Sequence, residues 1–234
     1  VNVPAGPRYA TVAVIGTQPT VARMKRLVAE VAIVLCVTFG MAGVKALLRL
    51  IDAAQSPLNQ HKVVLNDAAS ALPWIDISLQ LASALTLFAW GALALYLLER
   101  RLERPAWRDL AWGAGLAALI GLPGLALYVG AFHLGFSAEV VPATDASRVP
   151  LLLLWSAANA FSEEIVVVLW LVTRLRQLKV PVWGAVAGSA VLRGSYHLYQ
   201  GFSAGLGNVV MGVVFAWFFA RTGKVWPLIL AHFL

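Results

Sequence analysis

The chain has 234 residues, of which 60% are hydrophobic and only 12% charged, and its mean hydropathy is +0.79. A soluble domain is roughly 25% charged and about half apolar, so these proportions exclude a disordered chain, a coiled coil and a soluble enzyme with a solvated surface. Lys and Arg number 18 against 11 Asp and Glu, and in so apolar a chain the net charge of +7 sets membrane topology rather than nucleic-acid binding.

The single cysteine, Cys36, removes any disulfide framework and any Cys-ligated zinc site. A span takes about 20 apolar residues. The expected fold is therefore an all-α, polytopic transmembrane helix bundle of about seven spans, the last one truncated. Residues 1–22 read as a tail, poorly ordered or non-native, ahead of a plausible start at Met24-Lys25-Arg26. With Val1 at one end and an apolar helix cut at Leu234, the sequence reads as a piece of a longer protein.

Span one is expected from about Leu27 to Leu48, a signal anchor because no small-residue cleavage site follows it. A polar loop, Asp52 to Ala71, leads to span two, Ile75 to Leu98, which closes on a run of charge from Glu99 to Arg104. Span three, Leu110 to Leu134, contains Pro123-Gly124, an expected kink. After a loop with Glu139, Pro142, Asp145 and Arg148 comes span four, Pro150 to Val172. Span five runs from Val182 to Tyr199, span six from Leu206 to Ala220, and span seven starts near Val225. Residues 23–148 thus form an N-terminal group of three spans, and 149–234 a core of four.

A cytoplasmic N-terminus collects most basic residues on one side: Arg8, Arg23, Lys25 and Arg26, then Arg100, Arg101, Arg104 and Arg108, then Arg174, Arg176 and Lys179, then Arg221 and Lys224. The location expected is a plasma membrane of bacterial type.

Ionisable groups inside spans are costly and normally face a bundle interior, a cavity or one another. Glu30, one turn into span one, reads as an interfacial carboxylate paired with Arg26 at i,i+4. Asp76 suits the first turn of its helix, and His133 an outer boundary. Glu163 and Glu164 lie deep in span four. Ser156, Asn159 and Glu163 form one stripe at i, i+3 and i+7. Adjacent helical positions diverge, so Glu163 is read as the inward, working carboxylate and Glu164 as its charge-paired neighbour. Span five carries Ser189, Arg193 and His197 at i, i+4 and i+8, and Arg193 is a natural partner for a buried carboxylate. In span six, Gly201, Gly205, Asn208 and Gly212 make a small-residue face for close helix approach, with Asn208 able to hydrogen-bond into a cavity. Two carboxylates, an arginine, His197 and His232 make a set suited to general acid–base chemistry.

The chain has Glu-Glu in one apolar span, a His late in the next and a Gly/Asn-bearing span. The run Arg221-Thr222-Gly223-Lys224-Val225-Trp226-Pro227 follows, leading to His232. Together these resemble the CPBP family of intramembrane endopeptidases, also called Abi or CAAX-protease-like, over about residues 150–234. The resemblance implies catalytic roles for Glu163, Glu164, His197 and His232, with Glu163 as water activator. It also implies an Asn or Asp at the fourth position after His232, beyond Leu234. Two positions depart from the family pattern: Val168 stands where the first motif has Arg, and Arg193 where the second has Phe. An arginine relocated from span four to span five would reconcile them.

The resemblance leaves metal dependence open. No His-Glu-x-x-His motif is present, so no cofactor is expected. Glu163, His197 and His232 would be the set if a divalent metal such as zinc bound. The partners implied are the lipid bilayer and a membrane-tethered peptide or protein, without nucleic acid. The name-giving eukaryotic relatives process prenylated peptides, a substrate this chain need not share. Two other readings remain: a non-enzymatic bacteriocin-immunity or scaffold protein, and a proton-coupled transporter, against which the absence of internal repeats argues.

Overall fold

Thr20 opens the first helix by accepting from the Arg23 amide, 3.4 Å away. A computed structural model of the chain describes residues 20–65, 67–142 and 146–234. Residues 1–19 of the expected tail lie outside the described residues, whereas 21 and 22 form the first turn of α1 (Val21–Val37). The expected span one is a bent pair: α1 stops at Thr38, and α2 (Phe39–Ala53) leaves at 49°. The Thr38 hydroxyl donates to the Val34 carbonyl at 2.7 Å, a back-bond that bends helices.

The two polar loops contain structure that their brevity concealed. β1 (Lys62–Leu65) pairs in parallel with β2 (Glu139–Pro142), Lys62 opposite Glu139. Both strands carry a Val-Val pair, side chains that suit a pleated ribbon. The Lys62–Glu139 ion pair adds a contact of 3.2 Å. Ser137 continues this cap by bridging to Gly201. Gly201 has φ 111°, and a Cβ there would stand 3.0 Å from the Ser137 Cα, so both backbone conformation and space call for glycine.

Between the sheet end and the arginine-rich end run α3 (Pro73–Leu97), α4 (Trp107–His133), α5 (Val149–Glu163) and α6 (Leu171–Gln177). α7 (Val182–His197), α8 (Phe202–Thr222) and α9 (Trp226–Phe233) complete the bundle. The helix continues through Pro123 without a break. α5 and α6 are one span, Val149–Gln177, joined by a π-helical stretch from Glu164 to Trp170. Among the described residues four helices are long and apolar enough to cross a membrane, five if the bent pair is one span. Each of the seven expected spans is a helix or helix pair; α7, with 16 residues, falls below the length of that test, and the eight residues of α9 run up to the last residues given.

α6 runs past the expected end of span four at Val172 to Gln177, so Glu163 and His197 lie at similar distances from the arginine-rich ends of their helices. At 1.5 Å per residue, Glu163 lies about 21 Å from Gln177, and His197 about 22 Å from Val182.

α8 packs against α7 through Gly212, where an added Cβ would meet the Ala190 Cα at 2.7 Å and the Arg193 Cδ at 3.4 Å. α9 is held at its start by the α3–α4 connection. Trp226 Nε1 donates to the Glu103 carbonyl at 2.5 Å, and Lys224 pairs with Asp109 at 2.9 Å. The Thr-Gly-x-x-Trp-Pro run is thus a structural joint that aims α9, and with it His232. Gly212→Leu should cost about 1–3 kcal/mol through overpacking, read as a lower melting temperature in detergent. Gly115→Leu, with nothing within 4 Å of its added Cβ, should leave the melting temperature near that of wild type.

Candidate active site

Isoleucine and valine fill positions 165–168, and such β-branched side chains are poor α-helix formers. There the helix widens into its π-helical stretch, a form that concentrates at functional sites. The widened turn is paired from outside: Ser189 of α7 donates its hydroxyl to the Val167 carbonyl at 2.7 Å. Every residue from Glu164 to Trp170 is fully buried.

Glu163 and Glu164 stand at the junction of α5 with this stretch. Arg193, itself fully buried, enters from α7 and serves both. Its Nη2 meets Glu164 Oε1 at 2.5 Å, and its Nη1 lies 3.5 Å from Glu163 Oε2. Its Nη1 also points at Met211 Sδ, 3.7 Å away on α8, while the guanidinium lies over the Phe215 ring. The divergence expected of neighbouring carboxylates is real, and the guanidinium spans it.

The two carboxylates have different surroundings. Glu164 is shut in: Oε1 also accepts from His232 Nδ1 at 2.8 Å, and Oε2 is buried without a partner. Glu163 Oε2 accepts from the Tyr196 hydroxyl at 2.6 Å. Its Oε1 has no hydrogen bond to another described residue, and it is not among the buried unpaired atoms. Each carboxylate thus has one unpaired oxygen among the described residues, enclosed on Glu164 and not enclosed on Glu163.

The imidazoles are oriented by acceptors, which fixes their tautomers. His197 Nδ1 lies 3.0 Å from the Arg193 carbonyl, so it carries the proton and leaves Nε2 as an acceptor. His232 Nδ1 faces a carboxylate and likewise donates. Both rings are half-buried and within electrostatic range of Glu163. The structure thus brings together Glu163, Glu164, Arg193, His197 and His232. It leaves two candidates aside. Asn208 donates to the Ala204 carbonyl of its own helix at 3.0 Å, and Asn159 is half-buried one turn before Glu163.

A model of the family described as type II CAAX prenyl endopeptidase, Rce1-like, matches residues 145–234. This segment is similar to that family. No curated protein and no solved structure matches the chain significantly. The match covers α5 to α9, every helix that contributes to the cluster, and the long apolar helices make the chain an integral membrane protein. A metal fits this arrangement poorly. Among the described residues no three His, Cys, Asp or Glu side chains are placed to hold one, and a guanidinium already occupies the space between the carboxylates.

Sequence reasoning missed Tyr196, which borders His197 and reads as an ordinary aromatic at a span end; its contact with Glu163 depends on the pairing of α5 with α7. It also misplaced Glu30. Glu30 Oε1 takes Arg174 Nε at 2.7 Å and Trp170 Nε1 at 3.2 Å, not Arg26. The i,i+4 partner is exposed, whereas Arg174 is buried and gains more from the pairing. Asp76 likewise does more than cap: it accepts from the Ala69 amide at 2.7 Å and pairs with Arg148 at 3.1 Å.

Removing Arg193 should strand two buried carboxylates. Arg193→Met is expected to destabilise the protein by about 3–5 kcal/mol. Adding Glu164→Gln should return part of that loss, measured by thermal unfolding in detergent, because one stranded charge disappears.

Proposed function

We propose that the chain is an intramembrane endopeptidase that hydrolyses a peptide bond of a membrane-associated protein or peptide, with Glu163 as general base. The observation that supports this most is the asymmetry of the carboxylate pair. Each binds its two partners through one oxygen, but the other oxygen of Glu164 is sealed in, whereas Oε1 of Glu163 is unpaired and not enclosed, and so open to a water molecule.

In this reading a water molecule lies between Glu163 Oε1 and His197 Nε2, which accepts a hydrogen bond from it. Glu163 takes the proton as the water oxygen bonds to the scissile carbonyl carbon. The carbonyl oxygen becomes an oxyanion that His232, backed by Glu164, stabilises through its Nε2–H when protonated. The C–N bond then breaks, and the departing nitrogen takes the proton that Glu163 had accepted. Arg193 holds the pair of carboxylates in register; it supplies from α7 the positive charge that Val168 does not supply from the π-helical stretch. No step passes through a metal. The peptidase reading is favoured over a scaffold because packing alone gives no reason for a carboxylate with an unpaired oxygen that is not enclosed. A transporter would need a polar path on both sides of the cluster, and Ala157, Ala160, Phe161, Val167, Val168 and Leu171, on either side of Glu164 along its own face of the helix, are apolar.

Cleavage of a membrane-tethered reporter peptide by purified protein tests the reading. Glu163→Gln should lower kcat by at least about 10²-fold, the range of a lost general base, with the fold retained; unchanged cleavage would assign the base elsewhere. Exhaustive chelation should leave wild-type cleavage in place, and its loss with recovery on zinc addition would overturn the metal-free mechanism.

A further inference from the structure

A second polar site lies at the arginine-rich end of the bundle, apart from the carboxylate cluster. The start of α1, the end of α3 and the end of α6 enclose a cavity of about 640 Å³. Arg23, Arg26, Glu30, Tyr96, Glu99 and Arg174 line it, with leucine side chains between them.

The charges in this cavity are not all used. Arg174 is satisfied by Glu30, by Gln177 Oε1 at 2.8 Å and by the Leu97 carbonyl at 2.5 Å. Because Glu30 turns to Arg174, Arg26 is left without the i,i+4 carboxylate its sequence offers. Arg23 and Arg26, one turn apart on α1 and exposed, have no side-chain partner among the described residues. Glu99 at the rim balances one of them, so the cavity keeps an excess of one positive charge. Two guanidinium groups at this spacing suit the oxygens of a phosphate. Tyr96, 79% exposed, and the leucines make the remaining wall amphipathic, as at a bilayer interface.

We propose that this cavity is a binding site for a phosphate-bearing anion, and that its occupant is the headgroup of an anionic phospholipid with its acyl chains along the leucine wall. Basic pockets between the ends of membrane helices have the chemistry to hold such headgroups. A phosphodiester of charge −1 cancels the excess. The site ties α1 to the helix that carries Glu163 and Glu164, since Glu30 already bonds Arg174 and Trp170 at the other end of that π-helical stretch. The inference needs only a membrane protein, so it stands or falls independently of the peptidase reading.

Thermal unfolding in neutral detergent with added lipid tests it. Phosphatidylglycerol should raise the melting temperature of wild type by about 5 °C, the scale expected of a ligand near 100 times its Kd. Phosphatidylcholine should not. Arg23→Gln with Arg26→Gln should abolish the shift while melting like wild type without lipid. Lys25→Gln with Arg104→Gln removes the same charge outside the cavity and should keep the shift. Equal loss in both double variants would mean bulk attraction and would overturn the site, as would an equal response to phosphatidylcholine. Inorganic phosphate reproducing the full shift without lipid would overturn the lipid assignment in favour of a free anion.

Discussion

A fully buried guanidinium shared by two adjacent carboxylates is the interaction on which the rest of this protein depends. Arg193 and Glu164 are both fully shut off from bulk solvent, so each is tolerable only because the other is present. That mutual need dictates the surrounding backbone. α7 must bring Arg193 level with residues 163 and 164, and α8 must come close enough for Met211 and Phe215 to close the far side of the guanidinium. Glycine at 212 permits that approach, because any larger residue would press on Ala190 and on the arginine stem itself. The bundle is built inward around one ion pair, and its apolar outer faces follow from the solvent rather than from the site.

The π-helical stretch is part of the same arrangement. In the widened turn the Val167 carbonyl accepts the hydroxyl of Ser189, a contact made from the neighbouring helix. Ser189, Arg193 and His197 form a single stripe on α7, so the helix that supplies the guanidinium also fastens the widened turn and presents an imidazole. The widening occurs where valine follows valine, at the lowest local cost in helix propensity. A local weakness of the sequence therefore coincides with the place where tertiary contacts ask for a departure from α geometry.

Much of this was legible beforehand, and for a clear reason. In a chain so poor in charge, a carboxylate pair in mid-span has few interpretations, and Arg193 was its natural partner on charge grounds alone. What could not be read were features that depend on which helices touch. The Glu30–Arg174 pair joins residues far apart in sequence, while the tempting Arg26 lay one turn away. The contact of Tyr196 with Glu163 required α5 and α7 to be neighbours in a fixed register. The strands at 62–65 and 139–142 were too short for a periodic pattern and pair only with each other. Apolar composition located each helix but not its length: α7 has only 16 residues.

Glu164 Oε2 and Arg193 Nε are buried without partners among the described residues, although the two groups meet at 2.5 Å through other atoms. Side-on, fully bidentate pairing would satisfy more donors and acceptors. The guanidinium instead meets the carboxylates end-on with its two terminal nitrogens, since it must reach Glu163 as well as Glu164. Binding Glu164 alone would leave Glu163 with only the Tyr196 hydroxyl, free to turn. By sharing one cation the site forgoes the best pairing of either carboxylate and in return holds both at fixed positions. That compromise has no purpose in packing, where a single well-formed pair is better. Each carboxylate is left with one oxygen unengaged, enclosed on Glu164 and not enclosed on Glu163.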